Sequence, residues 1–437
     1  MNYSIHKYCF LIFILLFLLF SVVGKILQIP VYEIVSMLGL GYVSYIYMSL
    51  KIGNSVHKVF VATFIFQFLC ALFLKTEFIL FAESPHGPSA DDGILYYEYA
   101  QKGAYMTADA FKNYVSDTQW DNVDDYGFLF YLRFICQLFP QSITPFILIL
   151  LNAVYISIAA MALMKTMLML DNTNPRSVAL STAVFSSFIF FVNLSAVGLK
   201  EDIFVPIICV VFYYMTSYFS RRRLSDLLFI IFWISLTFFF RVSITLILVV
   251  VFLVGIFSLR LNRKIVGYGI IAALFLSPVL LDFVLRNFLG VSLEVVQKVA
   301  ENRYSQTDAN STTKQLGDMI AAVIGPFPNF SSTIDSIFYS YSSLLKMILN
   351  LPVLYSILMI FKKGMCNYYF IACFYLVGIM LTLVSGTGLD LRYHIPFFAS
   401  FIILLRLYIN KFSLGIYIWG AYLILCCFIV YFYNLLK

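Results

Sequence analysis

Charge is scarce in this chain: Asp, Glu, Lys and Arg make up 12% of its 437 residues, against about 25% in ordinary soluble domains. A water-facing globular surface is hard to build from so little. Histidine is scarcer still, and His6, His57, His86 and His394 are too scattered in sequence to suggest a metal cluster. The eight cysteines form no CxxC pair, and all but Cys136 and Cys366 fall in apolar runs, where a thiol behaves as a small hydrophobe. No disulfide framework follows from them. No internal repeat of the kind that marks many carriers is visible.

What the chain has in excess is apolar length. It is 62% hydrophobic with a mean hydropathy of +0.92, and its apolar runs of roughly 17 to 25 residues can each cross a hydrocarbon core of about 30 Å. The expected fold is an all-α polytopic membrane protein, a single integral membrane domain over 1–437 with about thirteen (range about 11 to 14) transmembrane helices. The expected spans are 8–24, 26–50, 59–82, 144–164, 178–199, 203–220, 226–240, 242–259, 265–283, 344–361, 367–384, 395–410 and 414–434. The first resembles a signal peptide, but a second apolar run follows Lys25 at once, so it reads as a retained helix.

With the N-terminus inside, the connections carrying Lys51 and Lys58, Arg176, Arg221 to Arg223, Arg260 with Arg263 and Lys264, Lys362 and Lys363, and Lys411 are all cytoplasmic. All acidic residues except Glu33, Asp171 and Asp226 then belong to the outer side. The basic clusters at 221–223 and 260–264 share a face, so two short helices must turn near Arg241. Two outer segments are long, 83–143 and 284–343, and are expected to carry short interfacial helices. Tyr126–Phe139 reads as one such helix. In the second segment Leu293–Asn302 reads as helix-like, Ser305–Thr313 as loop, and Pro326-Phe-Pro328 as a break.

The stretch Ser89-Ala-Asp-Asp-Gly-Ile-Leu-Tyr-Tyr-Glu-Tyr-Ala100 concentrates polar chemistry in the first long segment. One reading is structural: Ser89 caps a helix, Asp92 completes a capping box, and the tyrosines sit at the headgroup level. The other is functional, with Asp91 or Asp92 a general base and Tyr96 and Tyr97 a platform for a sugar ring. Asp117, Asp121, Asp124 and Asp125 follow, and read as solvated turn residues. Gly198-Leu-Lys-Glu-Asp202 is a second polar island between two spans, where Lys200 can hold a phosphate and Asp202 orient it or act as base. Its alternative is a solvated turn with a snorkelling lysine.

Arg241 and Arg392 stand in short outer turns, against the positive-inside bias. A guanidinium offers a planar fork to phosphate oxygens; interfacial anchoring is the competing account. The carboxylate pair followed by Tyr96-Tyr97 resembles the polytopic GT-C glycosyltransferases that use polyprenyl-phosphate-linked sugars. The Gly-Leu-Lys-Glu-Asp turn before Arg221 to Arg223, with the late Leu391-Arg-Tyr-His-Ile-Pro396, is similar to bacterial surface-polysaccharide polymerases of the O-antigen (Wzy) and EpsG kinds.

That resemblance implies sugar transfer at the outer face of a bacterial cytoplasmic (inner) membrane from an undecaprenyl-linked glycan. Lys200, Arg241, Arg392 and, more weakly, Arg303 would contact phosphate or substrate, with His394 in the same late motif. Asp91, Asp92 or Asp202 would take the proton. The leading expectation is an O-antigen or capsule repeat-unit polymerase; a single-sugar transferase and an O-antigen ligase, which use the same chemistry, are the alternatives, and a lipid-linked oligosaccharide flippase is the non-enzyme one. Expected partners are undecaprenyl-linked glycans, membrane lipid, a chain-length regulator and a flippase, with no nucleic acid. No cofactor is expected: Asp91 and Asp92 can ligate Mg²⁺ or Mn²⁺, but two carboxylates do not make a metal site.

Overall fold

The computed structural model describes residues 56–81, 91–117, 126–139, 142–171, 174–259, 311–328 and 334–436, with the isolated positions 269, 279, 282 and 286. The expected spans 8–24 and 26–50, the helix-like Leu293–Asn302, Ser89 and Arg303 lie outside the described residues, as does almost all of the expected span 265–283. Every regular element among the described residues is helical. In chain order these are α1 Val56–Phe81, α2 Asp91–Gly103, α3 Ala108–Asp117, α4 Tyr126–Leu138, α5 Thr144–Leu170, α6 Pro175–Ser186, α7 Phe190–Val197 and α8 Glu201–Arg221. They continue as α9 Leu224–Phe240, α10 Val242–Ser258, α11 Ser311–Ile324, α12 Ile334–Lys363, α13 Tyr369–Val384, α14 Leu391–His394, α15 Phe398–Lys411 and α16 Ile416–Leu436.

Eight stretches among the described residues are helical, long and apolar enough to cross a membrane: Val56–Leu80, Thr144–Leu170, Pro175–Val197, Glu201–Arg221, Phe338–Lys363, Cys366–Val384, Leu391–Lys411 and Ile416–Leu435. Among the described residues the chain is thus all-helical, with the long apolar helices of a multi-pass membrane protein. Its contacts divide it into two compact units, one of residues 55–172 and 190–253, the other of 1–54, 173–189 and 254–437.

In the first unit α5 lies between α1 and α8, α7 packs against α1, α5 and α8, and α4 touches both α2 and α9. Local chemistry sets the helix ends. Pro145 opens the first turn of α5, where its missing N–H costs nothing. Arg222 ends α8 in the left-handed region (φ 55°), its N–H returned to Tyr218 O. Helices α9 and α10, 17 residues each, are separated by Arg241 in an extended conformation. Arg241 approaches Glu201 and Phe204 at one end of α8, while Phe252 of α10 meets Tyr218 and Phe219 near the other. So α9 runs back along α8 and α10 returns parallel to it.

In the second unit α15 is the centre, packed by α6, α12 and α13, and its residues Phe398–Leu407 are all buried. Helix α16 is peripheral: Tyr422, Cys426, Val430 and Tyr433 face α11 and α12, while Ile418, Leu425, Phe428 and Phe432 are exposed, as a lipid-facing surface requires.

Candidate functional site

The site in the first unit is built on the junction of α7 and α8. Gly198 ends α7 with a positive φ of 89°, and the Leu199 N–H reaches back to Leu194 O at 3.1 Å, the Schellman arrangement. Helix α8 restarts after Lys200, with Glu201 and Asp202 in its first turn, where carboxylates complement the helix dipole. Pro206 stands at the sixth position of α8 and supplies no N–H to the Asp202 carbonyl.

All three polar residues of this turn are buried; Glu201 and Asp202 are 0% exposed. The solvated-turn reading of Lys200 to Asp202 is therefore corrected: these charges lie inside the unit, where a charge is kept only with partners. Ser195 of α7 donates its hydroxyl to one Asp202 carboxylate oxygen. Arg241 places Nη1 3.7 Å from Glu201 Oε1, with its guanidinium 6.0 Å from the Phe204 ring centre. From α1, the buried Lys75 donates to Ala196 O at 2.9 Å, taking a carbonyl at the C-terminal end of α7.

Helix α2 meets the same junction. A side chain at Gly93 would put its Cβ 2.6 Å from Val197 O and 3.0 Å from Val197 Cγ1, so only glycine allows this approach. The start of the Asp91–Gly103 helix is thereby held against the end of α7, three residues before Lys200. Two motifs that lie about a hundred residues apart in sequence thus share one place in the fold.

Tyr96 and Tyr97 are placed differently from an open sugar platform. Tyr96 is buried with its ring edge-to-face against Phe128 at 5.2 Å, and Tyr97 is buried beside it. Burial pushes the Tyr97 phenol above its ordinary pKa. Both rings hold α2 onto α4, and contact with a sugar would require α2 to shift. Arg392 and His394 belong to the second unit. There Arg392 lies 5.8 Å from the Tyr393 ring centre and its backbone N–H is capped by Asp390, while buried His394 bonds Gly388 O through Nε2 at 2.8 Å.

Sequence reasoning missed Lys75 and Ser195, and gave Glu201, singled out within the polar island, no role of its own. The signal for Lys75 was present: an ionisable residue inside an apolar run marks a functional or paired position. Ser195 and Glu201 acquire meaning only from the fold. No group of three or more metal-ligating side chains gathers among the described residues. No protein-family model matches the chain, and no curated protein or solved structure shows significant similarity to it.

Proposed function

We propose that the chain is a membrane glycosyltransferase of cell-surface polysaccharide assembly, polymerising undecaprenyl-pyrophosphate-linked repeat units at the outer face of a bacterial cytoplasmic membrane. The observation that carries this reading is the approach of Gly93 to Val197, which brings the Asp91-Asp92 helix start to the buried junction of Lys200, Glu201, Asp202 and Arg241. Transfer from a lipid pyrophosphate needs positive groups where charge develops on the leaving group and a carboxylate to take the acceptor's proton. The junction supplies both kinds. Arg241 presents the fork, steadied by Glu201; Lys200 and Lys75 add positive charge; Asp91, Asp92 or Asp202 serves as base.

These groups lie where α7 ends and α8 begins, at a terminus of the Glu201–Arg221 span. An enzyme meeting lipid-linked substrates at the headgroup level needs them there. The carrier reading draws on the same break, because discontinuous helices with charged ends also bind transported substrates. Two experiments separate the readings. In a deletion strain, lipid-linked glycan of single-repeat length marks a polymerase, and long chains lacking one branch sugar mark a single-sugar transferase. Product formed by purified protein in detergent, where no second compartment exists, sinks the carrier.

A further inference from the structure

Helix α12 carries a polar stripe inside an apolar span. Tyr339, Ser342, Lys346 and Asn350 recur at spacings of three and four, one face of a helix. The two ends of the stripe are satisfied. Tyr339 donates its hydroxyl to Leu389 O, and Asn350 donates to Val323 O at 2.5 Å while accepting from the Tyr375 hydroxyl. The two middle members are not: Ser342 is 0% exposed and its Oγ has no hydrogen-bond partner, and Lys346 is 3% exposed with no carboxylate in salt-bridge reach among the described residues.

The loop Gly388-Leu389 is held on one side by Tyr339 and on the other by His394, whose Nε2 is bonded to Gly388 O at 2.8 Å. Lys346 lies two helical turns beyond Tyr339 on the same face of α12. Because Nε2–H is committed to the carbonyl, Nδ1 of the neutral ring carries only a lone pair and offers an anion no hydrogen bond. The carboxylates touching this loop face backbone amides: Asp318 accepts from Leu389 N at 3.0 Å, and Asp390 from Arg392 N at 2.9 Å.

A hydroxyl and an ammonium that lack an acceptor among the described residues, buried one turn apart in a membrane-spanning helix, call for a ligand that supplies acceptors and negative charge. We infer that Ser342 and Lys346 form a binding site for a phosphate-type oxyanion, either a lipid headgroup phosphate or free phosphate. The site lies within the second unit and does not depend on the glycan-transfer reading.

The test uses the full-length protein purified in a neutral detergent, with thermal unfolding followed during two titrations. One titrant is inorganic phosphate and the other is short-chain phosphatidylglycerol, with zwitterionic, net-neutral phosphatidylcholine as the control. A ligand at about a hundred times its Kd shifts the unfolding equilibrium roughly 100-fold, so a clear rise in midpoint is expected with one titrant. Lys346→Met should abolish that rise, Ser342→Ala should weaken it, and Lys346→Arg should restore part of it. A rise with phosphate assigns the free anion, and a rise with phosphatidylglycerol alone assigns a lipid. Should Lys346→Met fail to fold, Ser342→Ala and Lys346→Arg carry the comparison. The inference is overturned if neither titrant stabilises the wild type, or if these variants respond as the wild type does, since general attraction to a chain of net charge +7 would explain an equal response.

Discussion

Arg241 Nη1 lies 3.7 Å from Glu201 Oε1, and the two side chains differ sharply in exposure, 16% for the arginine and 0% for the glutamate. The glutamate is committed to the interior while the arginine keeps an open edge. Removing Glu201 therefore exposes Arg241 to a loss of orientation more than to a loss of hydration. Removing Arg241 leaves a buried carboxylate, and breaking a buried pair from one side costs about 3 to 5 kcal/mol. Arg241→Ala should lower the unfolding midpoint markedly, and adding Glu201→Gln should recover part of the loss. Simple additivity in that double-mutant cycle would mean the pair is not coupled.

Arg241→Lys keeps the charge but loses the fork. If Arg241 holds a phosphate through two hydrogen bonds, losing one charge-assisted bond of about 1.5 to 3 kcal/mol lowers product formation on the order of 10- to 100-fold at normal membrane levels. Full polymer from Arg241→Lys would leave interfacial anchoring as the better account.

Gly93→Ala sets two known effects against each other. Alanine in a helix is favoured over glycine by about 1 kcal/mol, but the added methyl would meet Val197 O at 2.6 Å. Overpacking costs about 1 to 3 kcal/mol. The clash should win, so α2 is pushed off the α7–α8 junction and activity falls further than stability. An active, stabilised Gly93→Ala protein would show that the junction does not need α2 in place.

Helix extents were largely legible, because membrane thickness translates directly into apolar length: 144–164 was expected where Thr144–Leu170 forms, and 203–220 where Glu201–Arg221 forms. The interruption of 178–199 at Ser187–Ile189 was not legible as apolar length. Its cue is the buried Ser186-Ser187 pair, a kind of sequence at which helices break. Helix α3 hid among turn-forming residues, and helix formation begins at Ser311 inside a stretch expected to be loop. At the site, Asp91-Asp92 and Lys200-Glu-Asp202 stood out separately as charge in an apolar chain. Their meeting depends on the missing Cβ of Gly93, which matters only once Val197 O is in place. Lys75 and Lys346 were averaged away by their apolar neighbours.

Lys75 tests whether the junction's positive charge is functional. Lys75→Met keeps the length of the side chain, removes a buried charge and leaves Ala196 O without its donor; relief of charge burial and loss of that bond, each about 1 to 3 kcal/mol, oppose one another. Thermal stability should change little while product formation falls. Unchanged product with a lower midpoint would make Lys75 a structural tie for α7.

The carboxylates give the sharpest contrast. Helix α2 begins at Asp91, so both Asp91 and Asp92 sit in its first turn, where the dipole interaction of an exposed carboxylate is worth about 0.3 to 1 kcal/mol. Asparagine retains an acceptor oxygen but takes no proton, and loss of a general base costs 10² to 10⁴ in rate. Asp202→Asn differs, because Ser195 donates to that carboxylate and an amide can still accept the bond through its oxygen. Fold retention is therefore expected for all three Asn variants. Rate separates them: the base loses at least about 100-fold while the others stay within about tenfold. We expect the large loss at Asp91 or Asp92, in a lipid-linked glycan assay normalised to protein in the membrane. If both make normal product and Asp202→Asn does not, proton transfer belongs to the start of α8, and the start of α2 serves to close the junction over it.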